Sequence, residues 1–297
     1  MRWRGIHMVL IVAVVIGVGT LLHGASSVDA AQTIKVATWN LRDLSTSSRN
    51  DFERFQISYL LRDFDLIAIQ EVNDAQVVQD LVHWLHVLGH NFSFEVSEIS
   101  GSGGEGEHYA FLWRTGIVEQ AGAAFLASDD VAVARPPYIG RFRTGDLAFT
   151  IISTHVCSGC GGLNLPGRRG EVAQLTTVFQ TLAETTDEPV LLMGDFNLNP
   201  SDGGFSALRT FASPLLDCSN EDICKAVFPT TTRETNSFDN IWMDAQASLK
   251  FTGNGDIVQF DETLFEDPGG DSDHYREQYA RFAVSDHRPV WIELADD

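Results

Sequence analysis

Apolar runs in this chain repeatedly stop at a polar residue that a strand interior would not tolerate. "VATW" ends on Asn40, "LIAIQ" on Glu71, "FTIIST" on His155, and "VLLMG" on Asp195 with Asn197 two residues further on. Asp239 lies in "SFDNI", and Asp286 and His287 stand just before "RPVW". Any one of these reads equally well as turn chemistry, because Asp and Asn bond their own backbone where a strand ends. The recurrence is harder to explain that way. In most α/β layouts ligand sites form just beyond strand ends, so the pattern predicts carboxylates, amides and imidazoles gathered at one edge of a sheet system.

The segments between these stops alternate in type, and then strands dominate. "TIKVATWNL" and "DLIAIQEV" read as strands. "DFERFQISYLLRDF" has helical spacing at Phe52, Phe55, Tyr59 and Leu60, and "AQVVQDLVHWLHVLG" is a helix stopped by Gly89. "NFSFEVSEI", "HYAFLWR", "GIVEQAGAAFL", "YIGRFRT" and "LAFTIISTH" follow as strands, then the helix "RRGEVAQLTTVFQTLAE" and the strand "PVLLMGDFN". Shorter elements, an acidic loop around "EDPGGDSDHYREQ" and the strand "RPVWIEL" complete the chain. This is not a regular βαβαβ alternation, so a purely parallel nucleotide-binding sheet is not expected. The Gly-rich "GSGGEGE" has neither the spacing nor the following helix of a phosphate-cradling loop.

The first thirty residues have their own character. "MRWRG" carries two arginines, "MVLIVAVVIGVGTLL" is uncharged and apolar, and Val28 and Ala30 are the small residues that a signal peptidase accepts. We expect a secretory signal over 1–30, one catalytic domain over 31–297, and a secreted or periplasmic location without stable membrane insertion after cleavage. The formal net charge is −21 over 297 residues. Such a surface repels nucleic acid at long range and counts against a simple nucleic-acid-coating protein, but not against an enzyme that brings cations to a phosphodiester. Four cysteines in an exported chain favour disulfides. Of three possible pairings, the economical one joins Cys157 to Cys160 and Cys218 to Cys224. A lone CxxC is weak evidence for zinc, and this one enters a Gly-rich loop instead of opening a helix.

At the polar stops the chain also resembles a known family. "ATWNL", "IQEV", "STH", "GDFN" and "SDHRPV", in that order, are similar to the signature of the endonuclease/exonuclease/phosphatase superfamily. "EHYAFLWR", "ARPP" and "TTTRETNSFDNI" resemble its deoxyribonuclease I-like secreted nucleases. The resemblance implies an α+β fold, a four-layer αββα sandwich of two mixed β-sheets packed face to face with helices outside, and a site at one edge.

The chemistry expected there is hydrolysis of a phosphodiester by water. A divalent ion neutralises phosphate charge and lowers the pKa of water, and oxygen ligands suit Mg²⁺ or Mn²⁺, with Ca²⁺ a further candidate. Glu71 is the main metal candidate with Asn40 beside it, while Asp195 and Asp286 carry a second ion or shape the field. His155 and His287 move protons at the two ends of the displacement. The resemblance places Glu107 behind His155 and Asp239 behind His287, and implies that Asn197 touches the phosphate. Arg135, and also Arg42 in "NLRD", are further phosphate contacts.

Two departures bear on substrate. Where the secreted nucleases carry an Arg and a Tyr against the DNA minor groove, this chain has Asn73 and Glu105. The loop between "FLASDD" and "VARPP" lacks the cysteines of their calcium loop. The expected activity is that of a magnesium-dependent endodeoxyribonuclease acting on nucleic acid, DNA before RNA, with no protein partner evident. The alternatives are a sphingomyelinase-type phospholipid phosphodiesterase, which shares "GDFN" and "SDH" but needs an exposed aromatic hairpin not evident here, and a nuclease subunit of a toxin.

Overall fold

The computed structural model describes residues 32–101, 106–128, 131–159, 167–233, 235–264 and 279–296. The leader over 1–30, Glu105, Cys160 and most of the acidic loop lie outside these residues. Two β-sheets carry the fold. The first contains β1 (Thr33–Leu44), β2 (Leu66–Val72), β3 (Phe92–Val96), β4 (His108–Arg114), β12 (Phe251–Ile257) and β13 (Val290–Ala295), in the order β12-β13-β1-β2-β4-β3. The second contains β5 (Glu119–Gln120), β6 (Phe125–Leu126), β7 (Tyr138–Thr144), β8 (Leu147–His155), β9 (Val190–Asp195), β10 (Ser213–Pro214) and β11 (Asp239–Met243). Its order is β10-β11-β9-β8-β7-β5, with β6 also on β7. Both sheets are mixed: β1–β2 and β8–β9 run parallel, while the other pairs are antiparallel.

Strand alternation explains why there are four layers. Successive side chains on a strand point to opposite faces. On β1, Ile34 and Val36 join one apolar core, and Ala37, Trp39 and Leu41 another. On β9, Leu191 and Met193 face the core that Ile34 and Val36 share, while Val190 and Leu192 face a third. The shared core lies between the sheets. The outer face of the first sheet is covered by α1 (Asp51–Leu61) and α2 (Ala75–Val87), that of the second by α3 (Arg168–Thr185). This is the expected αββα sandwich, and residues 31–297 form one compact unit.

The helices begin where their sequences allow. Asn50 caps α1 in a reciprocal capping box with Glu53, and Asp74 accepts the Val77 N–H at the start of α2. The helix expected from the spacing forms as α1, with Ile57, Ser58, Leu60 and Leu61 buried and Phe52 and Tyr59 on its outer side. One local expectation fails. "GIVEQAGAAFL" is not one strand but the two fragments β5 and β6, broken at Gly122, whose φ of 119° leaves the strand region.

Candidate active site

The same alternation places the polar stops. Continuing inward from Val36 and Thr38 on β1 brings Asn40 between the sheets. Continuing from Leu191 and Met193 brings Asp195 inward, and on β8 Phe149, Ile151 and Ser153 lead to His155. In the β-ladders His155 pairs with Asp195, and Asp195 with Asp239, so three chemically active residues stand abreast on adjacent strands. Beneath them Gln70 donates to Thr38 Oγ1 at 3.0 Å and to Ser153 Oγ at 2.9 Å, a buried polar link from one sheet to the other.

Glu71 breaks the alternation. Its φ is 59°, and a register irregularity in the β2–β4 pairing falls between Ile69 and Val72. A non-glycine residue with positive φ is strained, and Arg42, Asp43 and Asn197 share the feature. All four line one cleft of about 410 Å³. The backbone is bent where the chemistry gathers. At the neighbouring Gly194, φ is 141° and a Cβ would lie 1.9 Å from the Thr154 carbonyl oxygen, so β8 and β9 could not approach with any other residue there.

Two imidazole–carboxylate dyads face one another across Asp195. His155 Nδ1 donates to Glu107 at 2.9 Å, and His287 Nδ1 donates to Asp239 at 2.8 Å. Each ring then presents Nε2 to the same oxygen, Asp195 Oδ2, at 3.6 Å and 3.7 Å. Glu71 Oε1 lies 3.8 Å from His155 Nε2. The pairings of Glu107 with His155 and of Asp239 with His287 therefore agree with the expected geometry.

Burial opposes charge on both rings, but the adjacent carboxylates outweigh it. His155 is raised above the ordinary value by Glu107 and Asp195, and His287 well above it by Asp239 and Asp195. Burial pushes the Asp239 carboxyl up while the ring beside it pulls it down.

The remaining expected residues are all at the site, in varied postures. Asn40 turns its amide nitrogen to Glu71 (2.8 Å) and Asp195 (3.1 Å), while its Oδ1 accepts from the Arg42 N–H. It holds the two carboxylates and does not offer them oxygen. Asn197 donates its backbone N–H to Asp195 Oδ1 and its side-chain amide to the Val156 carbonyl. Arg135 is buried behind the first dyad, its Nε 3.5 Å from Glu107 and 3.3 Å from the His155 carbonyl. Asp286 is engaged by Arg42 at 3.5 Å and Arg281 at 3.2 Å. Cys218 and Cys224 are joined at bonding distance; the other expected pair includes Cys160, which is not among the described residues.

Several supporting residues escaped the sequence reading. Thr230 Oγ1 donates to Asp239 Oδ2 at 2.7 Å, and Tyr109 Oη accepts the His155 N–H. Ser285 Oγ donates to the Asn40 carbonyl and accepts the His287 N–H, tying the end of β1 to the second dyad. All three sit in stretches singled out above, Thr230 in "TTTRETNSFDNI", Tyr109 in "EHYAFLWR" and Ser285 in "SDHRPV", but only their contacts show what they do.

The fit to a cation can be judged from the donors. Asp195, Asp239 and His287 bring ligand atoms within 4.8 Å of one another. Asp239 Oδ2 already receives Thr230 and His287, while its Oδ1 is buried without a hydrogen-bond partner. Glu71 and Asp195 converge on the Asn40 amide with oxygen donors alone, which fits a hard divalent cation.

Paired imidazole–carboxylate dyads at the edge of a two-sheet sandwich can take a proton on one side of a bound group and give one on the other. A model of the endonuclease/exonuclease/phosphatase family matches residues 37–287, and the chain belongs to that family. It is 30% identical over 270 residues to a deoxyribonuclease of Thioalkalivibrio sp. (strain K90mix), covering 89% of this chain and 71% of that protein. It is 24% identical to Deoxyribonuclease-1 of Bos taurus, covering 93% and 97%. D. rerio TDP2 complexed with a single-strand DNA product shares the fold at a TM-score of 0.57 and 17% identity, over 88% of this chain and 98% of that one.

Proposed function

We propose that the protein is an exported, divalent-metal-dependent endonuclease that hydrolyses DNA phosphodiester bonds by water attack. The observation that carries this reading is the pair of dyads aimed from opposite sides at Asp195. A phosphodiester needs one group to take a proton from water and another to give one to the leaving oxygen. His155 and His287 are two such groups, each with Nδ1 fixed on a carboxylate and Nε2 turned to the cleft. Glu107 and Asp239 hold the tautomers and stabilise the imidazolium forms. Arg42 brings positive charge to the cleft wall, while Arg135 braces Glu107.

Glu71 and Asp195 would hold the cation, which when bound supplies charge neutralisation at the phosphate and a more acidic water. The Asn40 amide keeps the two carboxylates together. Relatives named as deoxyribonucleases support DNA as the substrate, and the apolar leader followed by Val28 and Ala30 supports export.

The test is incubation of the chain over 31–297 with plasmid DNA, RNA and sphingomyelin vesicles, each with Mg²⁺ or with EDTA. We expect nicked plasmid only where the ion is present. Lipid turnover without nicking would overturn the reading.

A further inference from the structure

Beside the reaction cleft lies a second cavity of about 220 Å³ that the mechanism does not use. The two share Asn197, Asp286 and His287 in their walls, so they adjoin. Its basic members are Arg233 and Arg281, which come from separate segments of the chain. Thr231, Thr235 and Asn236 add hydroxyl and amide groups. Two arginines converging beside a cleft are unexpected on a chain with a formal net charge of −21.

Arg233 is exposed and makes no ion pair with any described residue. Arg281 touches Asp286 through Nη2, but its Nε is buried without a hydrogen-bond partner. Guanidinium groups present paired N–H donors that match phosphate oxygens. The loop carrying Arg233 is tied to the second dyad: Thr231 bridges to His287, and Thr232 N–H donates to the Asp286 carbonyl at 2.9 Å. An anion held in this cavity therefore has a defined position relative to the reacting centre.

We propose that this cavity is a subsite for the phosphate next to the scissile one, with Arg233 and Arg281 as its ligands, so that the enzyme selects a polynucleotide over an isolated diester. The inference rests on the nuclease reading above and adds a substrate requirement to it. A single phosphodiester would fill the reaction cleft and leave Arg233 and the Arg281 Nε without an anion to bind. A chain of phosphates would engage both.

The experiment compares kcat/KM for a thymidine dinucleotide with that for the same dinucleotide bearing a 5′- or a 3′-terminal phosphate. The unaltered enzyme should favour one phosphorylated form by about tenfold, a typical scale for a charge-assisted phosphate contact. Arg233→Gln and Arg281→Gln should each shrink that ratio several-fold, and Arg281→Lys should restore part of it. Arg143→Gln, which removes an equal charge from the exposed pair with Glu119 on β7, should leave the ratio unchanged. Thermal melts confirm that each variant is folded.

If Arg281 only braces Asp286, its replacement slows all the dinucleotides alike and the ratio stays at its original value, which overturns the subsite. Equal rates for all the dinucleotides in the unaltered enzyme also overturn it, while leaving the nuclease reading intact. Turnover of bis(p-nitrophenyl) phosphate with no cleavage of any nucleotide would instead refute the nuclease reading, and the subsite with it.

Discussion

His287 depends on its neighbours for both its position and its charge. Its Nδ1 is fixed by Asp239, its N–H by Ser285, and its carbonyl accepts the Trp39 indole N–H at 2.8 Å. Replacing either ring of the proposed acid–base pair, as in His155→Ala or His287→Ala, should lower turnover by about 10²-fold or more, the usual scale for general acid–base groups. Steady-state kinetics on plasmid would show this, and near-normal rates in both variants would remove the assigned roles. The charge has a consequence for stability as well. The folded chain holds the His287 proton more tightly than the unfolded chain, because Asp239 and Asp195 outweigh burial. That contribution is whole below the unfolded value of about 6.5 and is lost as pH rises through the higher folded one. Metal-free protein should therefore melt at progressively lower temperature from neutral towards alkaline pH, and His287→Gln should flatten the trend. Asn73 lines the cleft where the secreted nucleases carry an Arg. Asn73→Arg should strengthen duplex DNA binding in a fluorescence anisotropy titration; unchanged affinity would count against the groove argument.

At the level of elements, close backbone approach and buried pairing hold the site. Gly194 lets β8 and β9 meet where His155 and Asp195 pair. The end of the chain is anchored by Arg288, next to His287; the Arg288 guanidinium bonds Asp261 at 2.8 Å and 2.7 Å on the short helix Phe260–Thr263, with Glu262 at 3.0 Å. Arg288 and Asp261 are 1% and 5% exposed, so removing one partner leaves a buried charge without compensation. Arg288→Met should cost about 3–5 kcal/mol in urea unfolding, the range for breaking a buried pair. The elements themselves were largely legible in the sequence, because strand alternation and helix caps act over a few residues. The faces of α1 were not: Phe52 and Tyr59 satisfy the helical period as well as Ile57 and Leu61 do, and only the position of the sheet decides which side is covered.

For the whole molecule, the organising feature is an acidic chain in which Arg42 and Arg135 meet oxygen donors and two imidazoles at one sandwich edge. Chelation should abolish DNA cleavage, and hard cations such as Mg²⁺ or Mn²⁺ should restore it. The same additions should raise the melting temperature, because an ion bound only by the folded state stabilises it. An enzyme equally active and equally stable in EDTA would contradict the oxygen-donor site. The sequence by itself marked most of the polar groups at the edge and set which way they face: a period of two carries Asn40, His155, Asp195 and Asp239 inward along largely apolar strand faces. Glu71 is the exception, turned into the cleft by its own positive φ. The tertiary structure decided how these groups are used. It turned the Asn40 amide towards two carboxylates, placed Arg135 behind Glu107, set Arg42 and Arg281 against Asp286, and opened a second cavity beside His287. Alternation along a strand is a local property of the backbone, whereas a contact between residues 155 positions apart, as between Asn40 and Asp195, exists only once register and sheet packing bring them together.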